Sequence, residues 1–110
     1  MALSDLAQYV SAPSVLLEYD PASASMGASE GVIGVTSLGT GVFRVQLTDP
    51  VSNPVVHVTL VGDLPLSTIT ATLVSTTQIE VRIYDLSVAG ATLQATPADH
   101  SFWLSVVEDV

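Results

Sequence analysis

From Gly41 onward, apolar side chains recur at every second position, the period of a half-buried strand rather than of a helix. In GVFRVQLT, Phe43, Val45 and Leu47 share one face, and Val42, Arg44 and Gln46 share the other. The Asp-Pro and Asn-Pro steps of DPVSNP predict a turn. Beyond it, VVHVTLVG sets Val56, Val58 and Leu60 against Val55, His57 and Thr59. A second turn, DLPLS, leads into TITATLV, with Ile69, Ala71 and Leu73 inward and Thr68, Thr70 and Thr72 outward. STT at 75–77 predicts a short hairpin connection. QIEVRIY then alternates most cleanly, with Ile79, Val81 and Ile83 inside and Gln78, Glu80, Arg82 and Tyr84 outside. A loop is expected from Asp85 to Asp99, before the terminal strand. With GVIGVTS ahead of position 38, six strands at this spacing predict an all-β, antiparallel β-sandwich.

The terminal strand breaks the pattern. In DHSFWLSVVEDV, Phe102, Leu104 and Val106 point one way, while Trp103, Ser105 and Val107 point the other. A strand apolar on both faces implies a second protein surface against the outside of its sheet.

The first thirty residues read differently. LSDLAQYV is long enough for one or two helical turns behind Ser4, a length that is marginal without packing. SVLLEY, at 14–19, reads as an extended arm or a seventh strand. DPASASMGASEG, at 20–31, is rich in Ala, Ser and Gly and reads as a linker. The expected organisation is an N-terminal arm and linker over residues 1–30 and a β-sandwich domain over 31–110. The arm's apolar cluster, Leu3, Leu6, Val15, Leu16 and Leu17, is then a candidate anchor to another protein.

Composition sharpens the case for association. The 110-residue chain is 48% hydrophobic and only 12% charged, with a mean hydropathy of +0.56. A single domain of this size normally carries an ample polar surface, so the apolar excess points to subunit contacts. No apolar run reaches the about 18–20 residues of a membrane-spanning helix, and the N-terminus lacks the basic start of a secretory signal. Membrane partners are therefore not expected. Only Arg44 and Arg82 oppose eleven carboxylates, for a net charge of −9, which excludes nucleic acid as an expected partner. With no cysteine, neither a disulfide framework nor a cysteine zinc site exists.

Chemistry finds little to work with. His57 and His100 stand in no metal-binding spacing and read as structural or surface residues. No GxSxG elbow activates any serine. GVIGVTSLGTG lacks the lysine and glycine order of a phosphate loop. Asp49, Asp63, Asp85 and Asp99 fall at strand ends, where aspartate caps turns; two converging loops would offer calcium oxygen ligands, but no DxDxDG loop is present. The expectation is a protein that is not an enzyme and holds no cofactor or metal. Arg44 and Arg82 sit on outward phases, where either a rim salt bridge or a pair with a neighbouring subunit's carboxylate suits them. Tyr84, Trp103, Val42 and Val107 share the outward phase and form, with the two arginines, a candidate contact patch.

Over residues 31–107, the run GVFRVQLTDPVSNPVVHVTLVG…TITATLVSTTQIEVRIYD…ADHSFWLSVV resembles the small trimeric β-sandwich modules of tailed-bacteriophage virion proteins. Those modules are similar to the jelly-roll sandwiches of the C1q/TNF type. The resemblance implies a homotrimer and a virion location. Such modules occur in capsid decoration (cement) proteins and at the tips of head and tail fibres. A fibre tip normally follows a shaft, and here a short arm stands in its place. The expected role is therefore a decoration protein on the outer capsid surface, with the major capsid protein as its partner. The alternative is a fibre tip that binds host surface carbohydrate.

Overall fold

The computed structural model describes residues 15–62 and 66–108. Residues 63–65, where the sequence predicts a turn and where Asp63 falls, and the first fourteen residues, Leu3 and Leu6 among them, lie outside the described residues. Among the described residues there are nine strands: β1 (Val15–Asp20), β2 (Ser25–Glu30), β3 (Val32–Gly39), β4 (Val42–Leu47), β5 (Pro54–Leu60), β6 (Ser67–Ser75), β7 (Gln78–Ala89), β8 (Thr92–Pro97) and β9 (Phe102–Glu108). Every pairing is antiparallel. One sheet runs β2-β1-β9-β5; the other runs β3-β4-β7-β6, with β8 added along β7. The expected all-β sandwich is the observed fold.

The core lies between the sheets and takes alternate residues from both. Leu17, Phe102, Leu104 and Val106 come from the first sheet, and Phe43, Val45, Leu47, Ile79, Val81 and Ile83 from the second. Each such side chain contributes about 1.5–3 kcal/mol when taken from water. At one end, Tyr19, Phe43 and Phe102 form a triangle of tilted rings with centroids 5.6–5.7 Å apart. The tilted arrangement sets ring edges toward ring faces, as the aromatic quadrupole favours.

Two expectations are corrected here. Residues 15–30 belong to the sandwich, not to an arm and linker. β1 pairs with β9 over Val15↔Val106 to Tyr19↔Phe102, and Val15, Leu17 and Tyr19 are buried in the core. β2 follows through a turn at 21–24, held by Asp20 Oδ1, which accepts the Ala22 N–H at 3.1 Å. The second correction concerns 85–99. β7 continues through Asp85 to Ala89, turns at Gly90 (φ +65°) and returns as β8, paired from Ala89↔Thr92 to Tyr84↔Pro97.

β4 and β8 share one edge of β7, end to end, and Gly41 is their junction. The Ile83 N–H donates to the Gly41 carbonyl at 2.8 Å, and the Ala98 N–H donates to the Ile83 carbonyl at 3.2 Å. A Cβ at Gly41 would lie 2.6 Å from the Ile83 oxygen and 2.8 Å from the Ala98 nitrogen, and φ there is +72°. Glycine alone meets both conditions. The Gly41 N–H is held by Asp99 Oδ1 at 2.7 Å, so this aspartate ties the β3–β4 turn to the loop before β9.

Candidate functional site

With the core filled by one phase of each strand, the other phase of β9 faces outward from the β2-β1-β9-β5 sheet. Register places three rows across it. Trp103 lies between Glu18 of β1 and Thr59 of β5; Ser105 lies between Leu16 and His57; Val107 lies opposite Val55. Trp103 is 37% exposed and Val55 44%, while Leu16 and Val107 are half-buried. These four make an apolar strip on the middle of a sheet face, framed by Glu18, His57 and Thr59. β9 is flanked by β1 and β5, so the strip stands on a strand hydrogen-bonded on both sides. Such a strand holds its side chains in fixed relation.

Not all of the sequence-predicted patch assembles here. Trp103 and Val107 lie on this face, whereas Tyr84, Val42, Arg44 and Arg82 lie on the outer face of the other sheet, across the full thickness of the sandwich. Val55 and Leu16 join the strip instead. Val55 carried the signal in its outward phase within β5, but only the register with Val107 makes it a neighbour. Leu16 read as part of an anchoring arm. Of the other candidate anchors, Val15 and Leu17 are core residues and offer nothing to a partner.

The second outer face is polar. Arg44 Nη2 donates to Glu80 Oε1 at 3.0 Å, and Arg82 Nε donates to Glu80 Oε2 at 2.9 Å. Both arginines are therefore engaged by one carboxylate of their own chain, Arg44 as its cross-strand neighbour on β4 and Arg82 from two residues along β7. The hydrogen bonds from Arg82 and then Arg44 hold the Glu80 carboxyl below its usual range. The Tyr84 hydroxyl beside Arg82, followed by Glu80, raises the guanidinium's already high value. Gln78 Nε2 donates to Gln46 Oε1 at 2.9 Å, and Thr68, Thr70 and Thr72 line the adjoining strand.

Asp20, Asp85 and Asp99 cap one end of the sandwich, and Asp49 lies at the other. Asp49 there lines a 240 Å³ cavity with Val15, Gly31, Pro50, Val51 and Glu108. Among the described residues, no three His, Asp or Glu side chains are grouped to hold a metal ion. Ser67, Asp85 and His100 meet at the base of the β7–β8 hairpin, but not as a nucleophilic triad. The Ser67 hydroxyl donates to Asp85 Oδ1 at 2.6 Å, and His100 Nε2 meets the same oxygen at 2.7 Å. The serine proton is thus directed at the carboxylate, leaving the imidazole no part in activating that hydroxyl. His57 lies exposed beside Ser105.

No known protein family, characterised protein or solved structure matches this chain. The surfaces themselves therefore carry the functional reading.

Proposed function

We propose that this chain is a capsid decoration (cement) protein of a tailed bacteriophage, assembled as a homotrimer through the outer face of the β2-β1-β9-β5 sheet. The observation that supports association is the strip of Trp103, Val107, Val55 and Leu16 on that face. Large aromatic anchors surrounded by smaller apolar and polar residues are the usual centre of a protein contact. The capsid as destination rests on the resemblance of residues 31–107 to virion sandwich modules. The exposed face of the trimer then meets the major capsid protein.

A second reading has its own observation. Tyr84 beside Arg82, with Glu80, Gln46, Gln78 and the β6 threonines, forms a polar face with one aromatic, the kind of surface that hydrogen-bonds sugar hydroxyls. It favours a fibre tip that binds carbohydrate.

Light scattering with capsid and glycan binding separates these. The free protein should be a trimer of about 34 kDa, three copies of the 11.4 kDa chain. Trp103→Asp would bring three carboxylates together in a buried contact, each costing several kcal/mol unpaired, and should give monomer. The wild type should bind capsids of the coat protein encoded in the same genome. A wild-type monomer at micromolar concentration, or binding to host glycans without binding to capsids, would overturn the proposal.

A further inference from the structure

Past Asp85, β7 leaves β6 behind, and past Tyr84 it has left β4, so β7 and β8 continue together as a two-stranded ribbon. It projects along a molecule measuring 55 × 30 × 23 Å. Alternation along β7 places Leu86 and Val88 on the outward side, in phase with Tyr84. Pairing sets Ala95 opposite Leu86 and Leu93 opposite Val88. The two largest of these side chains in the ribbon's outer half are bare: Val88 is 68% exposed and Leu93 63%. Leu66, 51% exposed, adjoins them through its carbonyl, which accepts the Leu86 N–H at 2.9 Å. An isolated two-stranded ribbon is marginal in water, and this one shows its apolar face to solvent.

Its edge is as unusual as its face. Exposed strand edges are normally blunted by bulges, prolines or charges. The edges of β2, β3, β5 and β6 follow that rule. β2 meets β1 through a bulge and ends in Glu30; β3 carries two irregularities against β4; β5 opens with Pro54; β6 has one near Leu73. β8 has neither bulge nor charge, and its one proline, Pro97, is its last residue, at the root of the ribbon. Residues 86–98 contain no charged side chain in a protein of net charge −9.

We propose that β8 is a self-association edge: two copies pair antiparallel through β8 about a two-fold axis at Gln94. A copy of the same chain is the occupant that this surface fits, for three reasons. The ribbon is uncharged from Leu86 to Ala98, so two acidic molecules meet there with no carboxylates directly opposed. Antiparallel pairing about a residue is self-complementary, so one edge serves both partners. The register centred on Gln94 puts Leu93 opposite the partner's Ala95 and Ala95 opposite the partner's Leu93. The apolar faces of both ribbons then merge into one four-stranded face.

The contact is small. A six-residue ribbon is roughly 20 Å long and 10 Å wide, well below the about 800 Å² per partner of a stable complex. It links copies weakly on its own and strongly where another contact already concentrates them. This inference does not rest on the capsid reading and holds for the free protein.

The absence of native cysteine makes the register measurable. Gln94→Cys places one thiol of each copy at the axis, where directly paired Cα atoms lie about 4.5–5.5 Å apart, within disulfide range. Thr92→Cys on the same ribbon faces the partner's Thr96, which leaves its own thiols about four residues apart along the strand. Under mild oxidation, Gln94→Cys should form disulfide dimers at least roughly tenfold faster than Thr92→Cys. Adding Leu93→Glu to Gln94→Cys should slow it to the Thr92→Cys rate, with an unchanged circular dichroism spectrum. In the Trp103→Asp background the preference for position 94 should persist, which separates this contact from the sheet-face contact. Equal rates at 92 and 94, in either background, would overturn the proposal.

Discussion

Asp85 shows how much one side chain can organise in a sandwich of this size. It sits where β6, β7 and β8 meet, and its Oδ1 receives both Ser67 and His100. The Ser67 hydroxyl first, and His100 second, hold its carboxyl below the ordinary aspartate value of 3.8. Asp20 is lowered as well, chiefly by Ser23 and the Ala22 N–H. A carboxyl held low in the folded state contributes stability above its unfolded value and loses it as pH falls through the folded value. Acid should therefore weaken the wild type below about pH 4, as these bonds are lost. Protonating the remaining carboxylates relieves charge repulsion equally in the wild type and in Asp85→Asn, so their difference isolates this site. Thermal melts from about pH 6 downward should show Asp85→Asn less stable near neutrality and converging with the wild type in acid. Parallel curves would show that Asp85 does no such work.

At the scale of elements, β1 decides where the domain begins. It supplies one of the two neighbours of β9 and buries Val15, Leu17 and Tyr19. Deleting residues 1–20 should abolish the cooperative β transition by circular dichroism, and Leu17→Ala alone should cost about 2–5 kcal/mol. A truncated protein that melts cooperatively would return residues 15–20 to the status of an arm. The reason β1 was hard to read lies in VLLEYD, where Leu16 interrupts the alternation of Val15, Leu17 and Tyr19. β2 was illegible for a stronger reason: SMGASE is exposed along its whole length, so no core imprints a period on it. β8 is exposed throughout for the same cause, so the two-residue turn Gly90-Ala91, with Gly90 at positive φ, reads in the sequence as part of a loop. Strands with one face in the core, β4, β7 and β9, were legible because burial writes period two into the sequence. The same rule explains the divided patch. Parity tells inward from outward but not which of two sheets a strand joins, so Tyr84 and Trp103 shared a phase and came to opposite surfaces.

Over the whole molecule, the sign of the salt effect distinguishes the kinds of contact this surface makes. Eleven carboxylates face two arginines, and both arginines are already bonded to Glu80 within the chain. In the proposed trimer, three copies of a chain carrying −9 repel one another, and the apolar strip around Trp103 would have to outweigh that repulsion. Repulsion between exposed charges is screened over about 10 Å at 0.1 M salt and about 3 Å at 1 M. Contacts between apolar surfaces are not weakened by that screening. Were the subunits instead held by Arg44 or Arg82 reaching a neighbour's carboxylate, salt would weaken the assembly. The proposed trimer should therefore tighten as sodium chloride rises from about 20 mM to about 0.5 M, with its dissociation midpoint moving to lower protein concentration. Light scattering across a dilution series at both salt concentrations reads this directly. A trimer that dissociates at high salt would transfer the contact from Trp103 to the arginine face.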